Sequence, residues 1–257
     1  MNRQAQAAVL FLLGAALLHA GATDLYLRYV KAGLRPLLLV SGAVLIVTAL
    51  MTLWFERKHD KQGPTPEETN EHHPPPDPGH SAPGHDHASP RIPVSWLLLL
   101  PLFALILVAP PALGSYSAVR SGAALQPPYG YAALPSGDPL PLSVVDYASR
   151  AIYDHGRSLA GRRVQVTGFV ALAGDGTPYL VRMALNCCAA DARPVKIALT
   201  GRVPPVLRPD TWLRITGAYT PRRTTDPVNG GPVPYLEVTA ASPVPTPADP
   251  YDESWNQ

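Results

Sequence analysis

Two neighbouring cysteines are the residues of this chain best suited to chemistry. Cys187 and Cys188 are the only cysteines among 257 residues, and they stand together in the stretch MALNCCAADA. Adjacent Cα atoms are about 3.8 Å apart, whereas disulfides prefer roughly 4.4–6.8 Å, so a bond between these two would be strained and easily reduced. Thiol chemistry, metal binding and simple packing all stay open for the pair.

A carboxylate close by in the sequence can join the two thiols at one metal ion. If the chain turns between Asn186 and Asp191, then Cys187, Cys188 and Asp191 supply two thiolates and a carboxylate. That set is one donor short of a closed, four-coordinate zinc site. In an extended chain the two side chains would instead point to opposite faces and act as small buried hydrophobic groups. Because no C-x-x-C motif is present, a redox enzyme is disfavoured, and we predict no catalytic residues.

Histidines form a second set of metal donors. Residues 56–93 are rich in proline and acidic side chains and nearly lack large apolar ones, a composition that predicts a disordered linker. Imidazole binds zinc, copper and nickel, and short histidine tracts are typical of metal-binding segments. A solvated loop with histidines as polar filler is the alternative. The predicted donors of this linker are His72, His73, His80, His85 and His87.

Three apolar runs indicate that the N-terminal half is helical and lies in the cell membrane. Residues 7–27, 36–55 and 94–113 are predicted as three transmembrane helices, because a bilayer core needs roughly 20 apolar residues. The first run also resembles a cleavable signal peptide ending in Ala20-Gly21-Ala22. The distribution of lysine and arginine favours an extracytoplasmic C-terminal domain. Three spans are too few for a complete transporter of the usual kind.

The C-terminal half has the pattern of a small β domain. We predict a linker over residues 114–140, a soluble domain over 141–245 and a disordered tail over 246–257. A capping box and helical spacing predict one helix over residues 143–156, before the first strand. Five short runs with strand character follow, over residues 163–171, 179–184, 195–199, 212–219 and 235–240.

These strands predict an OB-like barrel. Five short strands in one domain of this size fit that fold, and two of them share the pattern of alternating aliphatic residues followed by Thr-Gly, at residues 164–168 and 213–217. Residues 201–210 are too rich in proline for the helix that often follows the third strand. With a net charge of +2 and no basic face bearing exposed aromatic residues, nucleic acid is excluded as a ligand.

The whole arrangement resembles a known family. The motif R-x-x-x-x-C-C-x-x-D-A runs here from Arg182 to Ala192, after the apolar runs and the histidine-rich linker. Together these features resemble the DUF1980 or YcgQ-like family of bacterial membrane proteins, which are described as permease subunits. The resemblance implies a larger multi-pass permease as partner and a connection with zinc supply. It implies no catalytic residues.

From these features we expect a non-enzymatic accessory subunit of a membrane permease complex, connected with zinc handling. Its expected partners are a multi-pass permease and the lipid bilayer. A stand-alone, membrane-anchored metal-binding or metal-delivery protein is the alternative. A vicinal-dithiol redox protein using Cys187 and Cys188 is the third possibility.

Overall fold

The structure is a computed structural model that describes residues 3–60 and 112–252. The described residues form two compact units, one containing residues 3–18 and 40–60 and the other residues 19–39 and 112–252. Most of the third apolar run lies outside the described residues. So do the five predicted donors of the linker, His72, His73, His80, His85 and His87.

Two helices occupy the N-terminal region, α1 over Arg3–Ala22 and α2 over Arg35–Asp60. Among the described residues only the stretch Ala32–Phe55 is long and apolar enough to cross a membrane, and the apolar part of α1 is shorter. Of the predicted spans 7–27 and 36–55, only the second is therefore supported, and the third, 94–113, lies mostly outside the described residues. The first run does not continue to residue 27 because the α-helix ends at Ala22 and the chain turns into a 3₁₀ helix over Asp24–Arg28.

The two helices pack through small residues spaced seven apart. A Cβ atom added to Gly14 of α1 would lie 2.8 Å from the carbonyl oxygen of Gly42 in α2, so the two backbones touch there. Such close approach at glycine and alanine is typical of helix pairs in membranes. The buried small residues are Ala7, Gly14 and Gly21 on α1 and Gly42 and Ala49 on α2.

The rest of α2 presents an apolar surface. Only 11% of its most apolar stretch, within Ala32–Phe55, is buried, and large side chains such as Val44 and Met51 are more than half exposed. The hydroxyls of Thr48 and Thr52 donate to backbone carbonyls one turn earlier, at 2.8 and 2.9 Å, so neither needs water as a partner. These features suit contact with lipid, where polar groups must find their partners inside the chain.

The C-terminal half contains the predicted barrel. Its strands are β2 (Arg163–Leu172), β3 (Pro178–Ala184), β4 (Arg193–Gly201), β5 (Trp212–Thr225) and β6 (Pro232–Pro243). They form a closed sheet in the order β2-β5-β6-β4-β3, with β3 also pairing with β2. All these pairings are antiparallel except that of β4 with β6, which is parallel. This is the Greek-key barrel expected of an OB-like domain.

The predicted helix packs on the barrel core. Helix α4 (Val144–Ile152) begins at Ser143, whose hydroxyl accepts a hydrogen bond from the N–H of Asp146 at 2.9 Å. Its apolar face joins the same buried cluster as the inward side chains of the strands. Residues 202–211, between β4 and β5, form no helix. Both results confirm the predictions that a helix precedes the first barrel strand, β2, and that none follows the third barrel strand, β4.

Three short elements complete the unit: α3 (Ser115–Arg120), β1 (Leu140–Pro141) and β7 (Tyr251–Asp252). Strand β1 pairs with β2, and β7 pairs with β3 beyond the point where β3 leaves β2. Two residues of the segment predicted as a disordered tail, 251–252, thus form a strand. Tyr251 is buried there, in the same apolar cluster as Phe169 and Trp212.

Candidate metal-binding site

The site lies in the loop between β3 and β4, which we call the cysteine loop (residues 185–192). A 3₁₀ turn over Ala189–Asp191 folds the chain back, so that the Asp191 carboxylate faces the start of the loop. Its two oxygens accept hydrogen bonds from the backbone N–H groups of Asn186 and Cys187, both at 3.0 Å. Asp191 therefore closes the turn that metal binding by neighbouring cysteines requires.

The turn brings the three predicted donors together. One sulfur from each of Cys187 and Cys188 and a carboxylate oxygen of Asp191 all lie within 4.8 Å of one another. The cysteines are free thiols, Cys187 exposed and Cys188 half-buried. Ligands bound tetrahedrally to zinc at about 2.3 Å lie roughly 3.8 Å from each other. Small side-chain rotations would therefore bring all three groups onto one ion.

The electrostatics of the loop favour a protonated thiol beside an ionised carboxylate. The Cys187 thiol donates a hydrogen bond to Asp191 at 3.1 Å, and this bond, together with the neighbouring Cys188 thiol, raises the pKa of Cys187 to about 11. Partial burial acts to raise the pKa of Asp191, but hydrogen bonds from the Cys187 thiol and from backbone N–H groups lower it further than burial raises it. A metal ion would displace the thiol proton on binding.

This arrangement predicts how Cys187 reacts without metal. Alkylation of its thiol in the full-length protein should stay slow at neutral pH and rise as the pH approaches 11, because only the thiolate is the nucleophile. Replacing Asp191 by asparagine removes the carboxylate, and we expect the profile to move to lower pH. If the pKa of the thiol falls by one, labelling at a fixed neutral pH should become about tenfold faster. Tandem mass spectrometry of iodoacetamide-labelled peptides would measure the rates. Identical profiles for both chains would contradict the expectation.

The cysteine loop is also bound from outside, by residues of the loop between α1 and α2. We call residues 23–34 the interhelical loop. Val30 forms an antiparallel β-bridge with Cys188. On either side of it, the Lys31 N–H donates to the Cys187 carbonyl at 3.0 Å, and the Ala189 N–H donates to the Tyr29 carbonyl at 2.7 Å. The backbone of the cysteine pair is therefore held by the segment that leads into α2.

Arg182 of the motif holds this junction together and is not placed as a metal ligand. Its guanidinium donates to the Tyr251 carbonyl at 2.7 Å and lies over the Trp212 ring, 5.1 Å from its centroid. The Tyr251 hydroxyl in turn donates to the Arg28 carbonyl of the interhelical loop at 2.8 Å. Ala192 ends the 3₁₀ turn of the cysteine loop. Both motif residues thus act on the shape of the loop.

The structure therefore brings together Cys187, Cys188 and Asp191. Sequence reasoning missed two partners of this site, the interhelical loop and Tyr251. The bridge at Val30 is isolated, so no periodic pattern marks it, and Tyr251 stands in a proline-rich stretch that reads as a tail.

Comparison with protein families identifies the part of the chain that contains the cysteine loop and Tyr251. Residues 143–252 match the family described as the DUF1980 C-terminal domain. The chain thus contains a DUF1980 C-terminal domain. The match starts at the N-cap of α4 and ends with β7, so the DUF1980 domain comprises the helix, the barrel, the cysteine loop and the last strand. Searches of curated proteins and of solved structures found no match.

Proposed function

We propose that this DUF1980 protein is an accessory subunit of a membrane permease complex, and that it binds a zinc ion through Cys187, Cys188 and Asp191. The observation that carries the proposal is the cluster of two free thiols and one carboxylate, placed on a loop that is hydrogen-bonded to the interhelical loop. We propose no catalytic activity for it.

The donor set favours zinc held in an exchangeable way. Thiolates select soft or borderline metals such as zinc over magnesium and calcium. Structural zinc sites are closed by four protein ligands, whereas sites with three keep a position open for another group. Here the described residues offer three donors, and Cys187 is exposed. Such a site suits an ion that is passed to, or sensed with, a partner.

The position of the cysteine loop supports a partner in the membrane. The interhelical loop that holds it runs through a 3₁₀ turn at Ala32–Leu34 directly into α2. In the proposed arrangement α2 crosses the bilayer and begins on the side where the cysteine loop lies. The uncharged run at 94–113, most of which is outside the described residues, is the predicted return span.

This arrangement separates the two predicted sets of metal donors. The histidine-rich linker follows the end of α2 and would lie on the opposite side of the membrane from the cysteine loop. Its histidines, among them His85 and His87, would then act as a separate binding segment. They would not complete the coordination of Cys187 and Cys188.

A stand-alone metal-delivery protein would use the same site without a permease. The third possibility, a vicinal-dithiol redox protein, gains less support, because the hydrogen bond from Cys187 to Asp191 stabilises the thiol and opposes the thiolate that exchange reactions need. The two metal-based functions differ in the partner alone, so an experiment must address the metal and the partner separately.

The test uses the full-length protein in detergent. We expect cobalt, as a probe for zinc, to bind with one equivalent showing thiolate charge-transfer absorbance, a signal to which the linker histidines do not contribute. Cys187→Ser and Cys188→Ser should each weaken this binding by at least about 100-fold, more than the loss of a supporting hydrogen bond. Absence of the thiolate signal in the wild-type chain would refute the metal site. Purification from native membranes should in addition yield a stoichiometric multi-pass protein, and purification of the chain alone would favour the stand-alone function.

A further inference from the structure

The cysteine loop is held from two directions at once. From inside, Asp191 accepts the N–H groups of Asn186 and Cys187. From outside, the interhelical loop pairs with the peptide groups on both sides of Cys188, at 3.0 Å to the Cys187 carbonyl and at 2.7 Å to the Ala189 N–H. The position of both thiols therefore depends on contacts with the interhelical loop.

This pairing joins the metal ligands to the ends of the two helices. Beyond Lys31 the interhelical loop reaches Arg35, the first residue of α2, whose Nε donates to the Gly21 carbonyl of α1 at 2.9 Å. The Arg35 guanidinium also lies 5.8 Å from the centroid of the buried Tyr26 ring. A shift of the interhelical loop would thus act on both helix ends.

We propose that metal occupancy of the cysteine loop and the pairing between this loop and the interhelical loop are coupled, so that the bound ion fastens the interhelical loop to the barrel. This inference rests on the proposed function, since it describes the regulation of the same site. Three ligands on a short loop bind an ion well only when their backbone is ordered, and the bridge to Val30 supplies part of that order. By linkage, an ion that favours the paired state must strengthen the pairing by the same factor.

We call this metal-dependent fastening of the interhelical loop to the barrel the clamp. It gives the membrane partner a way to respond to the ion. With metal bound, the entrance of α2 is fixed relative to the barrel; without it, the pairing rests on the isolated bridge and the contact of Tyr251 with Arg28. Couplings of this kind typically change an affinity by about 5–150-fold. The signal is therefore the position of the helix entrance, which a neighbouring membrane protein can contact.

A proline substitution tests the coupling because Lys31 already has the backbone of a proline. Its φ of −61° and ψ of 141° suit proline, and the extended pairing of Val30 suits the residue before one. Lys31→Pro removes the N–H that donates to Cys187 and also removes the charged side chain. Lys31→Ala removes the side chain and keeps the N–H, so it is the matched control.

We expect Lys31→Pro to weaken cobalt binding by the full-length protein about tenfold, within the range of such couplings. Lys31→Ala should stay within about twofold of the wild-type chain, since surface substitutions away from special features have small effects. In the wild-type chain, cobalt should slow hydrogen exchange at residues 28–31, and this protection should be smaller in Lys31→Pro.

The outcomes separate the two proposals. A wild-type chain that shows no thiolate-bound cobalt refutes the metal site itself. A wild-type chain that binds cobalt, with Lys31→Pro and Lys31→Ala of equal affinity, leaves the metal site in place and overturns the clamp. If Lys31→Pro disturbs the barrel, the wild-type exchange measurement decides: unchanged protection at residues 28–31 on adding cobalt overturns the clamp.

Discussion

Replacing Lys196 by methionine is expected to lower the free energy of unfolding of the DUF1980 domain by about 3–5 kcal/mol, because it leaves a buried carboxylate without its partner. The Lys196 ammonium and the Asp226 carboxylate are 2.5 Å apart, and their side chains are 2% and 0% exposed. A charge that is so fully buried has no water to replace the lost ion pair.

The pair matters because three segments meet at it. Lys196 stands on β4 and also donates to the Ser121 carbonyl, at 2.9 Å, in the segment that follows α3. Asp226 closes the turn between β5 and β6, where its other oxygen accepts the N–H of Val228 at 2.8 Å. Losing Lys196 therefore loosens the segment after α3 as well as the hairpin formed by β5 and β6.

Urea unfolding of the full-length protein in detergent, followed by tryptophan fluorescence, would measure the change. Arg163→Met is the matched control, since Arg163 forms an ion pair with Asp138 at 2.8 Å but both side chains are at least 60% exposed. Its loss should change stability far less, because solvent screens an exposed ion pair. Adding Asp226→Asn to Lys196→Met should recover part of the loss, because the neutral amide needs no counter-charge. Equal effects of Lys196→Met and Arg163→Met would contradict the argument.

The barrel could be predicted from the sequence because its signals are local. Alternating apolar and polar residues define each strand, as in Arg163–Leu172, and turn residues separate the strands. The capping residue Ser143 fixes the start of the preceding helix. Each signal depends only on neighbouring residues, so each can be recognised in the sequence without knowledge of the tertiary fold.

The contacts that complete the unit depend on residues far apart in the chain. Tyr251 reaches the Arg28 carbonyl across 223 positions, and nothing near either residue marks the contact. The early end of α1 has the same origin. Composition alone favours a helix through residue 27, but Tyr26 and Leu27 are buried in the unit that contains the barrel, and this burial outweighs local helix preference.

The three donor groups of the candidate site could be grouped from the sequence, but the segment that supports them could not. Cys187, Cys188 and Asp191 stand within five residues, so a single turn suffices to gather them, and the 3₁₀ turn at Ala189–Asp191 provides it. The interhelical loop, in contrast, comes from the opposite end of the chain. Its pairing uses backbone groups alone, which every residue carries and which therefore leave no trace in side-chain patterns.

The shared Thr-Gly pattern of β2 and β5 now has a physical reason. A Cβ atom added to Gly168 would lie 2.7 Å from the Val181 carbonyl oxygen, and one added to Gly217 would lie 2.5 Å from the Glu237 carbonyl oxygen. Each glycine thus lets the backbone of a neighbouring strand approach closely. Gly217 also stands where the register between β5 and β6 shifts, a bulge that helps a sheet curve into a barrel.

Gly217→Ala is accordingly expected to lower the free energy of unfolding by about 3 kcal/mol, at the upper end of the cost of overpacking. The obstacle is a backbone carbonyl, which cannot rotate away as a side chain can, so the strands must separate. Leu236 lies next to the same position at 3.0 Å and leaves no room on its side. The same urea unfolding measurement would detect the loss.

Gly174→Ala serves as the control for the change in chain entropy that accompanies any glycine-to-alanine substitution. Gly174 stands in the turn between β2 and β3, and an added Cβ atom there meets nothing within 4 Å. Its substitution should change stability by less than about 0.5 kcal/mol. If Gly217→Ala were equally mild, the bulge would tolerate a side chain, and the Thr-Gly pattern would need a reason other than the closure of the barrel. A large loss confined to Gly217→Ala would instead tie the pattern to the curvature of β5, on which the closed order of the strands depends.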